Sequence, residues 1–468
     1  MSYTTDLDSL STHIVPEWFH NRKLGIFIHW GLYSVPGWAT PSGDITKIVE
    51  EKGWRWHFAH NPYAEWYLNT LRIEGSPTQQ YHFENYGRDF AYEDFRPIFD
   101  AESAKWDPDE WANLFAAIGA GYVVHTSRHA DSFCLWPSTT ANPTHGAYHS
   151  RRNIVGDITE AVRGKGLRMG IYYCGGMDWT FRTDPVVTQS EVYSKIPQGQ
   201  DYIDYVTGHW KELIDRFRPD LMWNDIAWPR DPALTELFAY YYNAVPDGVI
   251  NDRFTQQTEV SEELADGMLM NPAGVHYDFR TPEYSSFGDI QPKKWESCRG
   301  IGHSFGYNRM ETDEHYAEPG ELIRSFVDIV SKNGNLLLNV GPTAAGEIVE
   351  PQRRRLEAIG RFMEKNGEGI NGTRPWLRAA DRLEGDVEVR YTAGRDAVYM
   401  FVLGGMEHSQ ELVLPQDIDP SDVQLLGPRG AKTPLPLRRG GDAAVVDLSN
   451  SSATEAEHGI FTLRLARV

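Results

Sequence analysis

The sequence predicts an irregular (β/α)8-like barrel over residues 1–370, followed by a β-sandwich over residues 371–468. Three observations carry this. Short apolar runs alternate with amphipathic helices at the spacing of βα units around a parallel sheet. Long helices are missing between Arg253 and Trp295, so the barrel is irregular there. After Trp376 the texture changes to short strands separated by turn residues, a sandwich pattern.

Leu24–Trp30 (LGIFIHW) is the first strand, ending in His29-Trp30-Gly31. Tyr63–Leu71 starts a helix that carries Glu65 and Trp66. Asp107–Ile118 is the best-marked helix. Asp107 caps it, Pro108 takes its first position, Glu110 completes a capping box, and Trp111, Leu114, Phe115 and Ile118 form one apolar face. Gly119 and Gly121 release the chain into a strand running from Tyr122 to His129. Asn153–Arg163 is the next helix and Arg168–Cys174 the next strand. A helical face from Tyr202 to Phe217 leads to the apolar run Leu221–Trp223. Pro219 and Pro229 bracket this run, and Asn224-Asp225 close it. Further strands are expected at Gly248–Arg253, Tyr277–Glu283, Trp295–Ile301 and Leu336–Val340, and helices at Leu322–Ser331 and Arg353–Lys365. The sandwich strands are Val387–Tyr391, Ala397–Leu403, Glu411–Leu414, Val423–Leu426, Ala444–Leu448 and Ile460–Leu465.

The 468-residue chain has a formal net charge of −21, which excludes a nucleic-acid surface and disfavours an anionic membrane. No apolar run reaches membrane-spanning length. Its 15 tryptophans suit a sugar, because an indole pairs an apolar face with a polar edge. Cys134, Cys174 and Cys298 are odd in number and widely spaced, so small buried residues are expected rather than disulfides or zinc ligands. The opening MSYTTDLDSL has neither a basic nor an apolar leader segment, so a cytoplasmic, reducing location is expected. Homo-oligomerisation is compatible with all of these features.

A carboxylate at the C-terminal tip of a buried strand stands where barrel enzymes keep their chemistry. Asp225 is such a residue, flanked by Trp223 and Trp228, which would make an apolar wall for a ligand. Two carboxylates on different strand tips suffice for glycoside hydrolysis. Glu283, presented by Pro282 in FRTPEY, is the best second. Glu296 in WESC is its rival and Glu65 a third. His29, His129 and Arg253 all fall at strand C-termini and read as hydroxyl-binding donors. The pairs His57/His60 and His125/His129 lack metal-ligand spacing, so no metal is expected. Gly302–Gly306 (GHSFG) formally matches a serine nucleophile motif. The polar YNRMETDEH that follows is not the helix that motif needs, and the match reads as accidental.

Several stretches together resemble the α-L-fucosidases of glycoside hydrolase family 29, from about Trp18 to Trp376. They are KLGIFIHWGLYSVPGW from Lys23, AEWY from Ala64, GYVVHTSRHADSFCLWPS from Gly121, GLRMGIYYC from Gly166 and PDLMWND ending at Asp225. To these add TPEY with Glu283, WESCRGIG and SFGYN from Trp295, and SKNGNLLLNVGP from Ser331. The resemblance implies a retaining, exo-acting hydrolase that needs no cofactor and acts on fucosylated oligosaccharides or glycoconjugates. It implies Asp225 as nucleophile and Glu283 as acid/base. It further implies His29, Glu65, Trp66, His129, Tyr172, Trp223, Arg253 and Phe305 as the sugar pocket. Where the family reads His-His-Asp-Gly, this chain reads His129-Ala130-Asp131-Ser132, so one hydroxyl contact is lost or supplied by Ser132 or another neighbour. That departure favours, as an alternative, a catalytically weak carbohydrate-binding protein. A serine hydrolase at Ser304 is a second alternative.

Overall fold

The computed structural model describes residues 2–43, 45–258, 273–404, 410–440 and 443–467. Seven parallel strands form its first sheet: β1 (Leu24–Ile28), β2 (Tyr122–Arg128), β3 (Arg168–Cys174), β4 (Leu221–Asp225), β5 (Val249–Ile250), β6 (Trp295–Gly300) and β7 (Gly334–Val340). Their order is β5-β4-β3-β2-β1-β7-β6. β1, β2 and β7 are buried at every residue. Burial on both faces is why such strands read as continuous apolar runs.

Helices between the strands turn one apolar side inward. Gln200–Phe217 buries the expected face from Tyr202 to Phe217. The helix Pro108–Ala117 starts with the expected cap, the Asp107 carboxylate accepting the Asp109 N–H at 3.0 Å and Pro108 filling the first position, but the Glu110 side chain does not complete the expected capping box.

Two expected strands are curtailed. Gly248–Arg253 contracts to β5. Tyr277–Glu283 forms isolated bridges only: Phe279 with Asn251, Arg280 with Trp295, and Glu283 with Cys298. Pro282 has no N–H to give the ladder, although its carbonyl accepts from Cys298 N at 3.1 Å. Residues 279–283 therefore link β5 to β6 and take the place of the eighth strand in an irregular barrel. Residues 259–272, which fall in this irregular stretch, lie outside the described residues.

The C-terminal part contains β8 (Arg374–Leu383), β9 (Val387–Ala393), β10 (Ala397–Val402), β11 (Glu411–Val413), β12 (Val423–Leu426), β13 (Lys432–Leu435), β14 (Leu437–Gly440), β15 (Ala443–Asp447) and β16 (Phe461–Ala466). They form a six-stranded sheet, β13-β12-β16-β10-β9-β8, and a three-stranded one, β11-β15-β14. Val389, Met400 and Leu463 of the first share a core with Leu412 and Val446 of the second. Alternate residues of β10, namely Ala397, Tyr399 and Phe401, join the barrel's core instead. A strand's two-residue period lets one segment serve both cores. The three cysteines are buried and free. No helix among the described residues is long and apolar enough to cross a membrane.

Candidate active site

The candidate residues converge on the C-terminal ends of the barrel strands. His29 and His129 directly follow β1 and β2, Tyr172 lies in β3, and Trp223 and Asp225 lie in β4. Arg253 follows β5. Glu65 and Trp66 sit in the short helical turn Ala64–Trp66, Glu283 in the bridging segment and Phe305 in the loop after β6.

Asp225 ends its strand, and the chain then turns through two left-handed residues, Ile226 (φ 51°) and Ala227 (φ 70°). A β-branched residue there is strained, by roughly 1–3 kcal/mol, and such strain clusters at functional sites. Tyr172 pairs with Trp223 across the β3–β4 ladder, and its hydroxyl donates to Asp225 Oδ2 at 2.8 Å. Arg253 Nη1 donates to Asp225 Oδ1 at 2.8 Å and meets Glu283 Oε1 at 2.5 Å. Burial works against the guanidinium charge, but Glu283 and Asp225 overcome it and hold Arg253 firmly protonated. The side chains of Asp225 and Glu283 are 14% and 20% exposed, so both reach the opening.

The rival Glu296 does not reach it. It is 0% exposed, accepts from Trp223 Nε1 at 3.0 Å and is also bonded by the Tyr122 hydroxyl. Burial raises its pKa to about 7. Both oxygens are occupied inside the barrel. Trp228, expected as a ligand wall, packs instead on Phe254 in the core, with ring centres 5.4 Å apart.

The pocket wall is aromatic. His29 lies 5.1 Å from both the Tyr172 and Phe305 rings, and His129 stacks parallel to Tyr172. Trp66 joins through Trp179, which contacts both Trp66 and His129. His29 Nδ1 is 2.7 Å from Asn339 Oδ1, and Asn339 Nδ2 donates to Phe305 O at 2.6 Å. The second bond fixes the amide's orientation, so Nδ1 carries the hydrogen and Nε2 is left as an acceptor. Burial lowers the His29 pKa to about 4, which keeps the ring neutral. His29 is thus an acceptor toward a ligand, not the donor that its position suggested. Asn339 was missed in the sequence, although a polar residue inside the buried apolar run of β7 is a signal in itself.

Glu65 is buried, and its Oε2 accepts the Gly306 N–H at 2.7 Å. Burial pushes its pKa up to about 8. The folded chain then keeps a proton that the unfolded chain releases above its ordinary value near 4.5, so stability falls as pH rises between about 4.5 and 8. Glu65→Gln removes that dependence. Its melting temperature is expected to vary less than the wild type's across this window, and parallel curves would contradict the assignment.

Ser304 is no nucleophile. Its hydroxyl donates to Gly306 O at 2.7 Å and accepts from Ala64 N at 2.9 Å, stapling two pocket loops together. Ser132 does not fill the place left by Ala130. It takes a left-handed conformation (φ 67°), and its hydroxyl donates to Asp178 Oδ2 at 2.7 Å within a buried network that includes Arg128. Ala130 is itself fully buried, and its carbonyl accepts the Trp179 N–H at 2.8 Å. Among the described residues no group of three or more His, Cys, Asp or Glu could hold a metal ion.

Apolar faces with a few aimed polar groups fit a sugar ring, and two carboxylates sharing one arginine fit the breaking of its acetal bond. On a parallel barrel rim this chemistry defines a glycoside hydrolase. The family model described as Alpha-L-fucosidase matches residues 1–368. Tissue alpha-L-fucosidase of Homo sapiens is 31% identical over 445 residues, covering 92% of this chain and 84% of that protein. The alpha-L-fucosidase of Branchiostoma floridae is 32% identical over 442 residues, covering 91% and 87%. The crystal structure of Thermotoga maritima alpha-fucosidase in complex with fucose has a TM-score of 0.84 at 38% identity, covering 99% of this chain and 100% of that one. The chain belongs to the α-L-fucosidase family, and it is an enzyme rather than a binding module.

Proposed function

We propose that this α-L-fucosidase removes terminal α-L-fucose from fucosylated oligosaccharides or glycoconjugates by double displacement, with retention and without a cofactor. Asp225 attacks the anomeric carbon while Glu283 protonates the leaving oxygen. Glu283 then deprotonates the water that releases fucose. One observation carries this reading. Asp225 Oδ1 and Glu283 Oε1 contact the same Arg253 nitrogen, at 2.8 and 2.5 Å. Their separation cannot exceed the sum of these distances. That upper bound is compatible with the roughly 5–5.5 Å of retaining carboxylate pairs and lies below the roughly 6.5–9.5 Å that leaves room for the intervening water of an inverting one. His29, Glu65 and His129 bind ring hydroxyls in this reading, and Trp66 and Phe305 face the apolar side of the ring and the C6 methyl. A panel of aryl glycosides differing only in the sugar tests the specificity. Equal turnover of an α-L-fucoside and a β-D-galactoside would refute it, and first release of β-fucose would refute retention.

The buried setting of Ala130 gives a further expectation. An imidazole there overpacks a closed site, at a cost of about 1–3 kcal/mol. Ala130→His is therefore expected to lower both the melting temperature and kcat/KM for an aryl fucoside. A tenfold gain, about 1.4 kcal/mol in transition-state binding, would show instead that the site can accept the family residue.

A further inference from the structure

Arg253 spans the two carboxylates with one nitrogen, so its placement sets theirs. Its Nε donates to Thr281 Oγ1 at 2.9 Å, and its Nη2 donates to Thr281 O at 3.0 Å. The edge of the guanidinium facing away from the carboxylates is thus gripped by one residue. A hydroxyl has one hydrogen, and Thr281 gives it to Asp252 Oδ1 at 2.6 Å. The oxygen's lone pairs are thereby turned toward Arg253. Asp252 in turn accepts from Arg280 Nε at 2.6 Å through Oδ2. The chain of bonds has one direction: arginine to hydroxyl to carboxylate. Asp252, Arg253 and Thr281 are all buried. A buried network with every member satisfied rigidifies its surroundings.

The same bonds anchor the segment that bears Glu283. That segment is held by isolated bridges rather than a continuous ladder. Thr281 ties it to Arg253 and Asp252 just after β5, and Arg253 Nη2 also lies 3.6 Å from Cys298 Sγ of β6.

We propose that Thr281 and Asp252 are positioning residues for the catalytic carboxylates, acting through Arg253. This rests on the Asp225–Glu283 reading above. Neither residue touches the sugar in the proposed reading.

The test uses the full chain and an aryl α-L-fucoside. Thr281→Val keeps the side chain's shape and removes the hydroxyl. It is expected to lower kcat about 100-fold, the loss that a misplacement of about 1 Å brings, while KM moves by less than about threefold. Thr281→Ser restores the hydroxyl and is expected to recover most of kcat. Asp252→Asn removes the charge that orients the hydroxyl and is expected to fall between the two. Wild-type kcat in a folded Thr281→Val would overturn the proposal. So would a Thr281→Ser no better than Thr281→Val, because a missing methyl and a missing hydroxyl would then matter alike. Should Thr281→Val fail to fold, the Thr281→Ser and Asp252→Asn arms decide, with wild-type kcat in Asp252→Asn against the proposal. Asp225→Gly, run alongside, tests the underlying reading by itself. Full activity there would refute the nucleophile whatever the Thr281 variants do.

Discussion

Asp225→Gly is expected to lower kcat on an aryl α-L-fucoside by roughly 10⁴-fold or more, because the covalent step loses its attacking oxygen. Two donors orient that carboxylate. Tyr172 donates to Oδ2 and Arg253 to Oδ1, so the carboxylate is held in one orientation at the strand tip. Each oxygen still has a free lone pair for the anomeric carbon. Glycine frees the Tyr172 hydroxyl and Arg253 Nη1 from that partner, but Arg253 keeps its bonds to Thr281 and Glu283, so substrate binding should survive. External azide can then enter the emptied space and attack in place of the carboxylate. The expected product is a β-fucosyl azide, inverted relative to the substrate because only one displacement occurs. Two results would remove Asp225 from the mechanism: activity near wild type, or azide-independent residual turnover with retention.

The second large effect is expected at Glu283. General acid catalysis contributes about 10²–10⁴-fold, so Glu283→Gln should lose that much on a fucoside with a poor leaving group. With a strongly acidic phenol, which departs without help, the loss in the first step should shrink. The wild-type pH profile should be bell-shaped, since turnover needs Asp225 ionised and Glu283 protonated. In Glu283→Gln the basic limb should vanish. An unchanged basic limb would mean that another group is the acid. Glu296 does not qualify on geometry, since Trp223 and Tyr122 occupy both of its oxygens inside the barrel.

Much of this was legible in the order of residues. The barrel strands announced themselves because burial on both faces demands continuous apolar runs, and Arg168–Cys174 is observed with the bounds its sequence suggests. The helix at Pro108 was written in its cap. In the sandwich, the strands that were missed are Arg374–Leu383, Lys432–Leu435 and Leu437–Gly440. Each lies at the edge of its sheet. An edge strand has one neighbour and little burial, so charged residues and proline are tolerated and the alternation that marks an inner strand is absent.

What the sequence determined by itself is the set of groups available at the barrel rim. An acid closing an apolar run must sit at a strand tip, because a carboxylate is not left unpaired within the core. What only the tertiary structure decided is which groups act together. Glu283 and Glu296 are 13 positions apart and both belong to strand-like segments. One is brought to Arg253 beside Asp225, while the other is turned inward and taken up by Trp223 and Tyr122. Likewise Asp252, Thr281 and Arg253 form one network across about 28 residues of chain. Such choices depend on distances of a few ångströms between distant segments. Hydrogen bonds reward those distances steeply, and local sequence patterns, which report only propensity and burial, do not encode them.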